Sequence, residues 1–235
     1  MSNTNDVSKL AVMRLLQFTD STFPVGTFSF SNGLETAAYE GLVHDAETLE
    51  AFTRSQALQG AFSDGVVALL THRAALAGDY DAILNADRRL YNFKMNDEAR
   101  LMLQRMGKKL AELAVQLFPD SELASKWLDD IKAERTPGSY PASQGLIFAL
   151  AGVDEKDLFY SHQYGVINMV LSAALRTVRV SHYDTQRILF NIAPQVEEYY
   201  EKAKTMRLED MNAFVPEIDI LASLHEKGNM RMFMN

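Results

Sequence analysis

The sequence predicts an all-α fold, a single-domain helical bundle of roughly eight to ten helices. Three observations lead there: apolar residues recur at helical spacing along most of the chain, strand-like alternation is nearly absent, and capping residues or Gly and Pro punctuate the periodic runs. Near the amino end Val7, Leu10, Ala11, Leu15 and Phe18 trace one stripe. The next segment, Phe18 to Ala38, is an irregular loop rich in Gly, Ser and Phe, where Gly26 and Gly33 allow backbone angles that other residues resist. Within it Thr27 to Ser31 alternates polar and apolar, too briefly to seed a sheet. Asp45 caps a helix toward Leu58, and apolar spacing resumes through Val66, Leu69 and Leu70. Asp79 caps another that ends around Tyr91.

From Asn96 to Phe118 the stripe is Ala99, Met102, Met106, Leu110, Leu113 and Leu117. Asn96 caps it, Asp97 and Glu98 suit its first turn, and Pro119 stops it. Ser121 opens a short helix bearing Leu123, Trp127 and Ile131, and Thr136-Pro-Gly-Ser-Tyr-Pro is the clearest turn. Asp154 opens a segment through Leu158 and Tyr164 to Val178 that is apolar nearly all round, as a helix surrounded by helices should be. Tyr183 to Lys204 is helical with a break or kink at Pro194. No linker or repeat divides residues 1–235, so one domain is expected, with 1–5 and 229–235 as flexible tails in the free protein and the carboxyl end extended.

Composition bounds the function. The chain has 235 residues, 23 basic and 31 acidic, for a formal charge of −8, which argues against generic nucleic-acid binding. It has no Cys, hence no disulfide framework, thiolate metal site or Cys nucleophile. The polar start MSNTNDVSKL lacks a signal-peptide pattern, so the cytosol is expected. The most apolar run, Val166 to Val180, is interrupted by Asn168, Ser172, Arg176 and Arg179 and is too short to span a bilayer. There is no Walker loop, no G-x-S-x-G elbow and no complete HExxH motif, since Asn229 stands where the second His after His225-Glu226 belongs.

The remaining chemistry-bearing features are sparse. His44, His72, His162, His182 and His225 are scattered and are read as surface or hydrogen-bonded residues, although folding can bring distant ligands together. Met230, Met232 and Met234 could hold Cu(I) through soft thioethers, but packing into a groove is the reading preferred. Arg88 to Lys109 holds seven Lys/Arg against two acids, which suits either a solvated helix face or a docking face for an acidic partner. Phe23, Phe28 and Phe30 sit in the constrained loop, and two readings stand equal: anchors in a protein interface, or rings turned inward to plug the bundle end.

Four collinear stretches add to this. The loop presents Asp20, Ser21, Pro24, Gly26, Phe28, Ser31, Gly33, Leu34 and Glu35. Glu98-x-Arg100 with Met106-Gly107 follows, then Leu175 to Arg187 with Arg176, Val178 and Gln186. The carboxyl end supplies Asp219, His225, Glu226, Arg231 and Phe233. Together they resemble the urease accessory protein UreF family, in order and from residue 15 to the last. The chain departs from that pattern at Phe30 in place of His, Arg179 of Pro, His182 of Gln and Asn235 of Ser.

The resemblance implies a non-enzymatic helper in assembly of the urease nickel centre. Such a protein is all-α and dimerises, binds the accessory protein UreD/UreH, recruits the GTPase UreG and docks on apo-urease. Nickel and GTP are then handled by the partners, and this chain has no cofactor, metal or catalytic residue of its own. Partner binding is expected of Phe28, Ser31, Gly33, Glu35, His225, Glu226, Arg231 and Phe233. Arg231 and Phe233 would anchor the tail in UreD, and Phe28 with its loop would brace that tail or contact UreG. A preference for one nucleotide-dependent shape of the GTPase would regulate it. The competing readings are a helical metal-dependent enzyme and a nickel carrier.

Overall fold

A computed structural model describes residues 4–212, 215–225 and 232–233. Among these residues the chain forms twelve α-helices and two 3-10 turns, with no strand. In order they are α1 (Thr4–Thr19), a 3-10 turn (Thr27–Ser29), α2 (Leu34–Tyr39), α3 (Ala46–Phe62), α4 (Asp64–Ala77), α5 (Tyr80–Phe93) and α6 (Asp97–Leu117). There follow α7 (Glu122–Lys132), α8 (Tyr140–Ala151), α9 (Glu155–Thr177), α10 (His182–Ile192), α11 (Gln195–Ala203), a second 3-10 turn (Leu208–Asp210) and α12 (Pro216–His225). The all-α expectation is met, with more and shorter helices than the periodicity suggests. Ser63 divides α3 from α4 by turning its hydroxyl back to the Gln59 carbonyl at 2.7 Å. Pro194 divides α10 from α11, and the short α2 lies inside the stretch read as loop.

Local chemistry explains the helix starts. Asp45, Asp79, Asn96, Ser121 and Asp154 each accept a first-turn backbone N–H, as the sequence predicts. Within the run Thr27 to Ser31, Thr27–Ser29 form a 3-10 turn entered through Gly26 at φ 86°, and Phe30 leaves it in an extended conformation. No helix among the described residues is long and apolar enough to cross a membrane.

Packing is tightest where glycine removes a side chain. A Cβ on Gly145 of α8 would collide with the Thr71 hydroxyl and Ala68 carbonyl of α4, so these two helices approach backbone to backbone. Gly107 of α6 likewise lies against the backbone of Gly138 and Ser139. The 136–139 turn is fixed from below: buried Asp87 accepts from the Thr136 hydroxyl (2.6 Å) and from the amides of Gly138 (2.8 Å) and Ser139 (2.7 Å). Fully buried Trp127 donates to Ser143 Oγ at 2.9 Å, which satisfies its one polar atom.

The apolar interior forms two clusters that share α9. Leu158 and Phe159 belong to the larger, around α4 to α8. Ile167, Val170 and Leu171 belong to the smaller, with Leu34, Leu49, Ile188, Leu221 and Phe233. Two expected stripes are shifted. On α6 the buried face is Glu98, Leu103, Met106, Gly107, Leu110, Ala111 and Ala114, while Leu117 is 41% exposed. On α1 Phe18 is buried but Leu10 is half exposed, and the Val7 side chain lies outside the described residues.

Candidate functional site

Residues from all four singled-out stretches meet at one place. Gly33 opens α2 with φ 79°, a left-handed angle that glycine adopts freely. A Cβ there would stand 3.2 Å from the Ala222 amide, so Gly33 also lets α12 lie close against the loop. In the first turn of α2, Glu35 points at the end of the chain. Its Oε1 accepts from the Met232 amide at 2.8 Å and its Oε2 from the Phe233 amide at 3.1 Å. Two successive main-chain N–H groups thus embrace one carboxylate.

Glu35 is positioned by a histidine. His225, at the end of α12, faces Glu35 Oε2 with Nε2 and Glu98 Oε2 with Nδ1, each at 2.9 Å. His225 and Glu98 are buried, so the ring is enclosed between two carboxylates. Burial pushes the Glu35 carboxyl up, but the Met232 amide, the His225 ring and the Phe233 amide outweigh it and hold the group below the ordinary range. Asn96 pins the other end of α12: its Oδ1 caps α6 while its Nδ2 reaches Asp219 Oδ1 at 3.4 Å.

The loop joins this seat through Arg176 at the carboxyl end of α9. Its Nη2 donates to the Phe28 carbonyl at 2.9 Å, and its guanidinium lies 4.1 Å from the centre of the Phe233 ring. Phe28 itself is 70% exposed. Phe23 and Phe30 turn inward instead, Phe23 meeting Phe18 in a tilted pair with ring centres 5.4 Å apart, so the inward reading describes these two rings and not Phe28. Ile220 and Leu224, one turn apart on α12, and Met232 leave further apolar surface exposed.

Of the residues expected to bind partners, Phe28, Ser31, Gly33, Glu35, His225 and Phe233 lie in this seat or its wall, while Glu226 and Arg231 lie outside the described residues. Ser31 is buried, its hydroxyl 3.5 Å from the Glu35 amide. In the carboxyl tail, Met232 and Phe233 are bonded to Glu35, and Phe233 is buried. Of the tail methionines only Met232 is described, and its side chain is 60% exposed. Two residues were not in the expected set. Glu98 and Arg176 both stand in the matched stretches, which is the one signal that could have found them. No group of three His, Asp or Glu among the described residues is arranged to hold a metal ion.

Compared with known proteins, residues 43–193 match the family model UreF. The chain is 49% identical over 224 residues to urease accessory protein UreF 2 of Brucella canis, spanning 95% of this chain and 92% of that protein. It is 48% identical over 224 residues to urease accessory protein UreF 1 of Brucella melitensis, with the same coverage. Against urease accessory protein UreF of Yersinia pestis the identity is 42% over 224 residues, covering 95% of this chain and 98% of the relative. The family model spans more than half of the chain and these relatives nearly all of it, so the chain belongs to the UreF family of urease accessory proteins.

Proposed function

We propose that this protein is a non-catalytic adaptor in urease maturation, acting in the cytosol. It joins UreD/UreH and the GTPase UreG on apo-urease, as a homodimer in the assembled complex. In this reading nickel and GTP are handled by the partners, and the chain contributes surfaces. The observation that supports it most is the seat: Glu35, backed by His225 and Glu98, holds the tail backbone, and Arg176 ties the tail ring to a loop whose Phe28 projects outward. The exposed ring of Phe28 is a suitable anchor for a partner pocket, and Ile220, Leu224 and Met232 add exposed apolar side chains. UreD/UreH takes the tail side, and the Phe28 loop braces the tail or contacts UreG. If UreG binds the seat better in one nucleotide state, the adaptor shifts that equilibrium by its differential affinity.

The test is co-expression with UreD, UreG and apo-urease, scoring co-purification and nickel-dependent urease activity. Removing residues 228–235, or Glu35→Ala, is expected to abolish both while leaving helical circular dichroism intact. Undiminished co-purification of UreD with either variant would overturn the tail assignment. Stoichiometric nickel on the purified chain would favour the carrier reading instead.

A further inference from the structure

The basic stretch Arg88 to Lys109 has no part in the tail seat, and the structure divides it. Lys94 turns inward to Asp64 at 2.5 Å. Arg100 pairs with Asp97 at 3.2 Å and lies over the Tyr91 ring, and Lys109 pairs with Glu112 at 3.0 Å. Arg89 is exposed on α5, and so are Arg88 there and Arg105 and Lys108 on α6. The last three border the 131–137 turn, where a cleft of about 560 Å³ opens between Arg105, Lys108, Tyr91 and Arg135. Arg88 donates to the Arg135 carbonyl at 2.8 Å, which ties α5 to the far wall. Arg135 pairs with Asp130 on one side, yet its side chain stays 58% exposed.

We propose that this cleft is a second docking surface, which receives an acidic polypeptide segment of a partner protein. Three cations line it (Arg105, Lys108 and Arg135, the last also paired with Asp130), Arg88 is tied to its far wall, and Glu134 is the one carboxylate in the lining, in a chain whose formal charge is −8. Such a local reversal of sign steers an acidic ligand to one place on an otherwise repelling surface. The far wall is rigid before any partner arrives, because Asp87 fixes the 136–139 backbone and Gly107 packs against it. Binding therefore needs little ordering of this chain. A long nucleic acid fits less well: the surrounding acidic surface repels a continuous polyanion, and the Tyr91 ring is already covered by Arg100. The cleft is separate from the tail seat, since Lys108 follows Glu98 on α6 by ten residues, about 15 Å along the helix.

Fluorescence anisotropy of the full chain with a labelled oligoglutamate peptide tests this, with oligolysine and oligo-dT as comparators. Oligoglutamate is expected to bind, and to weaken about tenfold between ~50 and ~200 mM NaCl. The double variant Arg105→Glu/Lys108→Glu should weaken it by about tenfold or more, and Arg105→Gln/Lys108→Gln by less, both with unchanged circular dichroism. Removing residues 228–235 should leave this binding intact, so failure here is distinct from failure of the tail seat. Equal binding by the charge-reversed protein, no salt-dependent binding, or oligo-dT binding as tightly as oligoglutamate would each overturn the proposal.

Discussion

The α4–α8 crossing and the tail seat are held together by opposite physics. At the crossing, Gly145 brings two backbones into contact, and its neighbours Leu146, Ile147 and Phe148 are buried without polar partners to exchange. Its stability comes from close packing, which tolerates no added volume and is lost all at once. At the seat, the contacts are directional bonds among Glu35, His225, Glu98 and two main-chain amides, with a cation–ring contact at the rim. Each of those bonds can be replaced by an equivalent one from another protein. On the proposed reading, the protein keeps its fold in one region and its exchangeable bonds in another.

The largest effect should come from breaking the crossing. Gly145→Ala places a methyl against Thr71 and Ala68, and is expected to cost about 3 kcal/mol or more, read as a lowered midpoint in denaturant. Near-native stability would show that α4 and α8 can separate without penalty.

Acid should weaken the trunk next. Burial pushes the His162 ring down to about 4, with nearby Asp64 raising it and Lys94 lowering it. The unfolded ring titrates near 6.5 and so takes up its proton first as pH falls. The stabilisation is complete above that value and is lost as pH falls toward about 4, a change of about 3 kcal/mol. His162→Gln should flatten this slope in pH-dependent unfolding, and an unchanged slope would assign the acid lability elsewhere.

At the seat the expected stability effects are smaller. Glu35→Ala leaves His225 Nε2 and two amides without their acceptor, and should cost about 1–2 kcal/mol. Amide exchange at Met232 and Phe233 should quicken far more than at α8; uniform exchange in both regions would erase the contrast between them. Smallest is Phe28→Ala, expected to change stability by less than about 0.5 kcal/mol because the ring is exposed. On the proposed reading it still weakens partner co-purification, and a protein that lost stability instead would place the ring in the fold.

The fold was legible where the signal is local. Asp45, Asp79, Asn96, Ser121 and Asp154 cap helices because a short polar side chain and the next turn decide the matter. The rotation of α6 was not legible. Counting large apolar residues placed Leu117 inward, yet it is exposed, while the small residues Gly107, Ala111 and Ala114 are buried and Gly107 lies against the backbone that leads into α8. Glu98 was hidden for a related reason: a carboxylate reads as solvent-facing until His225, 127 residues away, supplies its partner. The loop phenylalanines are chemically alike, and only tertiary contacts send Phe23 and Phe30 inward and Phe28 outward.

The grip of Glu35 on the tail has a consequence for how that segment tolerates change. A carboxylate that engages main-chain N–H groups is indifferent to which side chain follows, so leucine, glutamine or lysine at position 232 should thread the same way. Proline is the exception, because its ring nitrogen has no hydrogen to offer, and Met232→Pro would remove one of the two main-chain bonds to Glu35 while leaving every side chain of the clasp in place.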